Sequence, residues 1–476
     1  MRKAYLAGEW IDTGKTLDVH NPYDGSVVEQ VAQCGPNEID RALDAAVASL
    51  EETRRMEPYQ RAEALSYVRD GLRKRAEEFA VALSQENGKT LAESRLEVAR
   101  TAATFDVAVG EATRVYGEAY DLGINAMGAG RRCIVRHYPV GVVSAIAPFN
   151  FPMNLAAHKI APAMAVGCPV VLKPASMTPV TALMMAELIE KSGWPKGAFS
   201  VLPCNRAAGQ MLVEDERIKL LSFTGSPEVG WKMKASAGTK KVVLELGGNA
   251  GLIIDNSVTD WDWLISRAVL GAFYQCGQVC ISVQRIFVHQ DVMGEFRARF
   301  KKAAEALKSG DPLDENTTLG PIIDSANRER LQTWVKEALE QGAELVSGNT
   351  VARGGQGNNM TATILEEVDP SCRVNTEEAF GPVVTLTPVA SMEEAFQMVN
   401  DSKFGLQCGV FTQDFNTVMR ALDVLEVGGV IHNDVPSFRV DNMPYGGVKD
   451  SGLGREGVKY AMKDMLEERV LVYQVK

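Results

Sequence analysis

Two hydrophobic periods alternate along this chain, and their alternation is the main structural signal. "NEIDRALDAAVASLEETRRM" (37–56) and "PYQRAEALSYVRDGLRKRAEEFAVALSQENGKT" (58–90) carry apolar residues at helical spacing, with charge on the opposite face. "RRCIVRHYPVGVVSAIAP" (131–148) reads as strand, alternating up to His137 and then buried from Val140 to Ala147. "HKIAPAMAVGCPVVLKPAS" (158–176) predicts a helix and then a short buried strand, Val170 to Leu172. "TALMMAELIEKSGWP" (181–195) predicts a helix that stops at Gly193 and Pro195. "LLSFTGS" (220–226) predicts a strand running into a turn, with a helix from Pro227.

From Leu244 to about Ile431 a second series follows, its strands supplied by "LGGNAGLIIDN", "RIFVHQ", "GPVVTLTPV" and "CGVFT". Short buried strands between helices predict an α/β protein built on open, mostly parallel sheets. "EERVLVYQVK" (467–476) is a strong strand with no neighbour in sequence, so it must pair with a distant segment or another subunit. "VARGGQGNNMTA" (351–362) reads as an exposed loop, and no internal repeat or low-complexity tract is present.

A length of 476 residues exceeds one ordinary core and implies two or three domains. The net charge of −11 argues against nucleic acid or an anionic membrane surface as partner, since both require a positive field. No run of about 18 apolar residues spans a bilayer, and the basic start "MRKAYLAGEWIDTGK" lacks the apolar core of a secretory signal. Eight scattered cysteines form no disulfide framework and predict reduced thiols in a cytoplasmic protein. Five dispersed histidines and one isolated Cys pair argue against a metal site.

"GLGREG" (452–457) matches a dinucleotide fingerprint by letter, but no buried strand precedes it and only nineteen residues follow. Its glycines are expected to form a turn. Three residues have the makings of covalent catalysis. Cys280, in "FYQCGQVCIS", follows the flexible Gly277; Glu245 ends a strand beside Gly247 and Gly248; Asn150 sits in a Pro-flanked turn after a buried strand. A thiol, a base and an oxyanion donor are what such chemistry requires. Taken singly, each also reads as a buried thiol, a solvated strand-end charge and an ordinary turn residue.

Seven motifs in order decide between these readings: "PFNFP" (148–152), "KPAS" (173–176), "FTGS" (223–226), "LELGG" (244–248), "GQVC" (277–280), "EEAFGPV" (377–383) and "PYGGVKDSGLGREG" (444–457). With them the chain resembles the aldehyde dehydrogenase superfamily over essentially its whole length. The resemblance implies a Rossmann-like cofactor domain (1–116 and 138–246, joined by 447–463), a catalytic domain (247–446) and bridging strands (117–137 and 464–476). Those strands imply a homo-oligomer, a dimer or a tetramer.

The resemblance further implies NAD or NADP as cofactor and a small aldehyde as substrate, oxidised to the carboxylic acid. Cys280 would be the nucleophile, Glu245 the base that activates water and Asn150 the oxyanion donor, with Lys159 in the same catalytic group. Ile146, Pro148, Phe149, Lys173, Ser176, Thr224, Gly225, Ser226, Glu378 and Phe380 would hold the cofactor. Ser176 stands where many NAD-preferring relatives carry Glu; without that carboxylate, Lys173 is free to meet a 2′-phosphate, so NADP is expected to be accepted.

Phe151, His158, Val279, Ile281 and Arg439 would line the substrate tunnel. The cation Arg439 favours a hydroxylated or anionic aldehyde such as lactaldehyde or a semialdehyde, and its alternative is an outward ion pair with Asp441 or a neighbouring subunit. Cys276 is expected to fill space beneath the loop. A CoA-acylating enzyme, a scaffold protein and a thiol hydrolase are the rival readings; Glu245, the intact trio and the cofactor positions argue against each in turn.

Overall fold

Wherever the sequence runs short, β-branched and free of charge, the chain forms a buried parallel strand. The computed structural model describes residues 1–348 and 357–475. The first half of the loop expected at 351–362, up to residue 356, lies outside the described residues.

In the first sheet the strand order is Glu9–Ile11, Ala4–Leu6, Phe199–Val201, Val170–Lys173, Val142–Ile146, Ile218–Thr224, Lys241–Glu245 and Gly452–Leu453. The five strands from Phe199–Val201 to Lys241–Glu245 are parallel. After the edge strands Ala4–Leu6 and Glu9–Ile11, the parallel part starts at the middle strand Val142–Ile146, steps outward twice on one side of it, then crosses to the other side for Ile218–Thr224. The crevice between those two strands is the topological switch point, where open α/β sheets bind ligands at their carboxyl ends.

The second sheet has the order Glu344–Ser347, Thr363–Glu366, Val383–Val389, Arg285–His289, Gly251–Ile254, Gln407–Phe411 and Gly429–His432. It is parallel apart from its first strand. The chain crosses from one sheet to the other over residues 246–250, so the second sheet starts at Gly251, later than the expected Leu244. Cys280 and Glu378 both precede strands of this sheet. The cleft therefore lies between carboxyl ends of the first sheet and segments leading into the second.

Helices follow the same logic. Asn154–Val166 is buried at every position, as an all-round apolar helix in a core should be. The 58–90 stretch divides at Arg75 into Pro58–Lys74 and Ala76–Asn87. Arg75 turns its guanidinium to Glu78 and Glu187, and the helix restarts beyond it. The terminal strand Leu466–Gln474 finds its partner in the same chain, pairing antiparallel with Arg131–Pro139 over nine residue pairs. Glu118–Asp121 completes this third sheet, which leaves Val470, Leu471, Val472 and Tyr473 exposed.

One buried polar group ties the helices to the cleft. The Lys89 ammonium and the Glu97 carboxylate form an ion pair, both side chains fully excluded from solvent. Lys89 also donates to the Asn150 carbonyl at 3.0 Å and lies 3.9 Å from the Phe151 ring centroid. Glu97 accepts from the Met153 and Asn154 amides, at 3.1 and 3.0 Å, where helix Asn154–Val166 begins. Its charge thus faces a helix N-terminus. Glu93 accepts the Gln275 amide at 2.7 Å, and Asn87 donates to the Phe149 carbonyl at 2.6 Å.

Removing one partner of such a pair strands a charge in a dry interior, at a cost of about 3–5 kcal/mol. Lys89→Met should therefore lower unfolding free energy by about that amount in urea titrations, and Lys89→Met with Glu97→Gln should recover part of it. A single variant as stable as the parent would show that the pair does not hold this region.

Candidate active site

A cavity of about 630 Å³ opens at the switch point. Strand Val142–Ile146 delivers Pro148, Phe149 and Asn150 to its rim, Val170–Lys173 delivers Lys173 and Ser176, and Ile218–Thr224 delivers Thr224, Gly225 and Ser226. Glu245, Cys280, Glu378 and Phe380 line the other side. All ten residues expected at the cofactor, Ile146 included, face this one cavity, together with Cys280, Glu245 and Asn150.

At one end of the cavity, Lys173 is largely buried and donates to the Pro174 carbonyl at 3.4 Å. Burial, and to a lesser degree the neighbouring Arg206, pull its ammonium below the ordinary lysine value. Two cations side by side in a partly dry site suit a dianionic phosphate. Helix Pro227–Ser236 begins at Ser226 and turns its free N–H groups toward the same cavity. Glu378 is half-buried and accepts from the Gly248 amide at 3.1 Å; desolvation lifts its carboxyl to about 7. A Cβ at Gly247 would stand 2.1 Å from Glu378 Oε2, so only glycine leaves the carboxylate its place. These features fit a nicotinamide dinucleotide, with cations for phosphate, a helix N-terminus for pyrophosphate and a carboxylate for hydroxyls.

At the other end lies the thiol. Gln275, Cys276 and Gly277 all have left-handed backbone, with φ of 53°, 54° and 68°. Two non-glycine residues in that region carry strain, and the Glu93–Gln275 hydrogen bond and the Gln275–Asn87 side-chain contact hold them there. Gly277 is required for another reason, since its Cβ would lie 2.1 Å from the Gly381 carbonyl. Cys276 is buried in the apolar core of the second sheet. Cys280 is half-buried at the cavity, and desolvation pushes its thiol up to about 12. Its Sγ lies 3.0 Å from the Tyr445 hydroxyl. Phe151, Leu155, Val279, Ile281, Leu406 and Tyr445 form the apolar enclosure around it.

The Asn150 amide donates to the Gln278 carbonyl at 3.0 Å. An amide nitrogen has two hydrogens, so a second donor is left for an incoming oxygen. Glu245 is buried with both oxygens unpartnered. Burial raises its pKa well above the carboxylate range and the nearby Glu456 raises it further, against the pull of Arg439 and Lys159.

Lys159 sits apart from the cavity lining. Its ammonium donates to Thr224, Glu456 and Ser222 at 2.7, 2.9 and 3.1 Å. His158 and Arg439 also lie outside that lining and belong to the same buried cluster. Arg439 points inward, 2.6 Å from His158 Nδ1 and 3.1 Å from Glu456, with its guanidinium 3.7 Å over the Tyr445 ring. Its expected alternative, an outward pair, is not what forms. His158 Nε2 is 3.0 Å from Asp441; burial, then Arg439, lowers the His158 pKa and keeps the ring neutral. Burial alone would raise Glu456, but Lys159 and then Arg439 hold it at about 2.

Sequence reasoning passed over Tyr445, Glu456 and Arg206, and also Arg330, which lines the cavity. Tyr445 and Glu456 lay inside a quoted motif, where their pairing across a turn leaves no spacing signal. The turn expected of "GLGREG" is present: Gly454 and Gly457 have φ of 81° and 89°. Among the described residues no cluster of three or more metal-ligating side chains occurs, and no helix is long and apolar enough to cross a membrane.

Comparison with known proteins agrees with this geometry. The family model "Aldehyde dehydrogenase family" matches residues 10–471. A 3-sulfolactaldehyde dehydrogenase of Priestia aryabhattai is 42% identical over 469 residues, covering 98% of this chain and 97% of the relative. Aldehyde dehydrogenase 21 from Physcomitrella patens, solved with its reaction product succinate, superposes with a TM-score of 0.97 at 47% identity, covering 99% and 98% of the two chains. A glyceraldehyde-3-phosphate dehydrogenase of Methanocaldococcus jannaschii, solved with NADP, gives a TM-score of 0.91 at 35% identity, covering 96% and 99%. With its motifs, its two sheets and its thiol-bearing cleft all in agreement, the chain belongs to the aldehyde dehydrogenase family, oxidoreductases that act on aldehydes with NAD or NADP.

Proposed function

We propose that this enzyme oxidises a small aldehyde bearing an anionic group at its far end, with NADP as the favoured cofactor. The observation that carries this reading is Arg439, a buried guanidinium stacked on the tyrosine that touches Cys280, with its Nε lacking a hydrogen-bond partner. Arg100, half-buried with its guanidinium 6.0 Å from the Phe151 ring, adds a second cation beside the apolar enclosure. Carboxylate or sulfonate on a three- or four-carbon aldehyde suits such a pocket, and the sulfolactaldehyde and succinate of the similar proteins carry such groups. Lys173 and Arg206, with Ser176 in place of a repelling carboxylate, favour the 2′-phosphate of NADP.

In this reading Cys280 attacks the aldehyde carbon as the thiolate, its thiol proton having passed to water in the open cavity. The oxyanion takes the second Asn150 N–H and the Cys280 backbone N–H. The cofactor, when bound along the Lys173–Ser226–Glu378 wall, supplies the hydride acceptor. Once the aldehyde hydrogen has left, sulfur and acyl carbon remain joined as a thioester. Glu245 then takes a proton from water, and the hydroxide equivalent releases the acid. Lys159 positions Glu456, whose charge helps keep Glu245 a strong base.

The domain limits at 1–116 and 138–246, 247–446, and the strands 117–137 and 464–476, follow the same reading. We infer a homodimer or tetramer formed through the exposed third sheet, in the cytoplasm, where eight free thiols are stable.

Three measurements test these proposals. With succinate semialdehyde and an uncharged aldehyde of equal length, Arg439→Gln should lower kcat/KM for the anion by roughly 10- to 100-fold more than for the neutral compound, the weight of a charged hydrogen bond. The parent should show the lower cofactor KM with NADP, and equal losses for both aldehydes would remove the anion reading. Glu245→Gln should give one burst of reduced cofactor per site, then turnover slowed by about 100-fold or more. In the parent, the hydrolytic step should rise with pH through the elevated Glu245 pKa, because only the carboxylate accepts the proton. Light scattering should give a dimer or tetramer, with eight thiols titratable after unfolding; a monomer at micromolar concentration would count against the exposed sheet as an interface.

A further inference from the structure

Among the described residues, the Cys280 sulfur has one polar side chain within hydrogen-bond distance, the hydroxyl of Tyr445 at 3.0 Å. Tyr445 is buried and its backbone is fixed. Its amide donates to the Glu456 carbonyl at 3.0 Å, and the Glu456 amide donates back to the Tyr445 carbonyl at 2.7 Å. The glycine turn at 452–457 makes that exchange possible, for a Cβ at Gly457 would stand 2.2 Å from the Met443 carbonyl. Arg439 lies flat over the ring, 3.7 Å from its centroid, and is itself held by Glu456 and His158. Tyr445 thus has little freedom to leave the sulfur.

While Cys280 is a thiol, either group can donate across this contact. Once the sulfur is ionised, only the phenol has a hydrogen to give. A donor aimed at a thiolate in a dry enclosure favours the ionised form.

We propose that Tyr445 is a catalytic residue, donating its hydroxyl hydrogen bond to the Cys280 thiolate and so making the nucleophile available in an enclosure that otherwise disfavours charge. The thiol proton leaves for water in the cavity, and Tyr445 keeps its own proton throughout. As the sulfur–carbon bond forms and the carbonyl π pair moves to oxygen, negative charge departs from the sulfur and the hydrogen bond weakens. Arg439, stacked on the ring, couples this donor to the anionic end of the substrate: one guanidinium both meets the substrate's charge and draws electron density from the phenol. The charged groups acting on Cys280 are Glu378, Arg439 and Glu245, and none of these is altered by removing the Tyr445 hydroxyl.

This inference rests on the nucleophilic role proposed for Cys280, and the test separates the two. Tyr445→Phe keeps the ring and its stacking on Arg439. Alkylation of Cys280 by iodoacetamide, followed by mass spectrometry of its peptide across pH, reports the thiolate. The expected result is a midpoint raised by about one unit or more, and a rate at neutral pH lowered roughly 10- to 100-fold, the weight of a hydrogen bond to an ionised acceptor. Thermal melting and NADP binding report whether the variant has folded. A fluorinated tyrosine placed at 445 alone keeps the shape and sharpens the donor, so its midpoint should move down; it decides the matter by itself should the phenylalanine variant not fold. Midpoints unchanged in every folded variant overturn the role of Tyr445. Normal turnover by Cys280→Ala would instead remove the nucleophile reading, a different failure with a different signature.

Discussion

The Lys89–Glu97 pair is the constraint on which the site depends. Two charges fully withdrawn from water are tolerated only when each is paired and its remaining capacity is met. Here the surplus capacity is met by the active-site backbone: Lys89 takes the Asn150 carbonyl, and Glu97 takes the amides of Met153 and Asn154. The same short segment holds Phe149 through Asn87 and Gln275 through Glu93. Residues 87–97 thereby fix both the loop that carries Asn150 and the strained turn that leads to Cys280. The electrostatic need of the pair and the positional need of the site are met by the same bonds.

A second consequence of burial is that three carboxyl groups of one type behave differently. Glu456, between Lys159, Arg439 and His158, is held at about 2 and stays charged. Glu378, supported by one backbone amide, rises to about 7. Glu245, with no partner and Glu456 nearby, rises well above its ordinary value. Environments that push like groups apart create distinct roles. A permanently charged acid organises cations, one near neutrality can meet hydroxyls, and one that resists ionisation is a strong acceptor once its proton has gone.

The sequence made the architecture legible because buried parallel strands are written as short continuous apolar runs, and nearly every such run became one. The cofactor wall was legible for a related reason, since its residues sit at strand ends inside local motifs. Ile146, Lys173 and Thr224 each close a strand. What could not be read was contact between distant segments. Tyr445 meets Cys280 across 165 residues, and Lys159 meets Glu456 across 297. The same blindness left Arg439 without a direction, because its partners His158 and Glu456 come from a helix and a turn far apart in the chain. The division of the 58–90 stretch at Arg75 was hidden too, since the distant Glu187 helps to fix that arginine.

Charge balance links the substrate to the base. Around Glu456, the cations Lys159 and Arg439 face the anions Glu456 and Asp441, while His158 is kept neutral by burial and by Arg439. A fully ionised Glu245 would tip this cluster negative and repel an anionic aldehyde. Its raised pKa favours the neutral form, so in the proposed reaction an anionic aldehyde would meet Arg439 and Arg100 without a competing carboxylate. After oxidation the need reverses, because hydrolysis of the thioester requires the carboxylate. In the proposed reaction one unpartnered acid would serve both stages, its protonated form admitting the substrate and its ionised form activating water. The absence of a hydrogen-bond partner for Glu245, an apparent defect in a buried site, is what keeps both forms within reach.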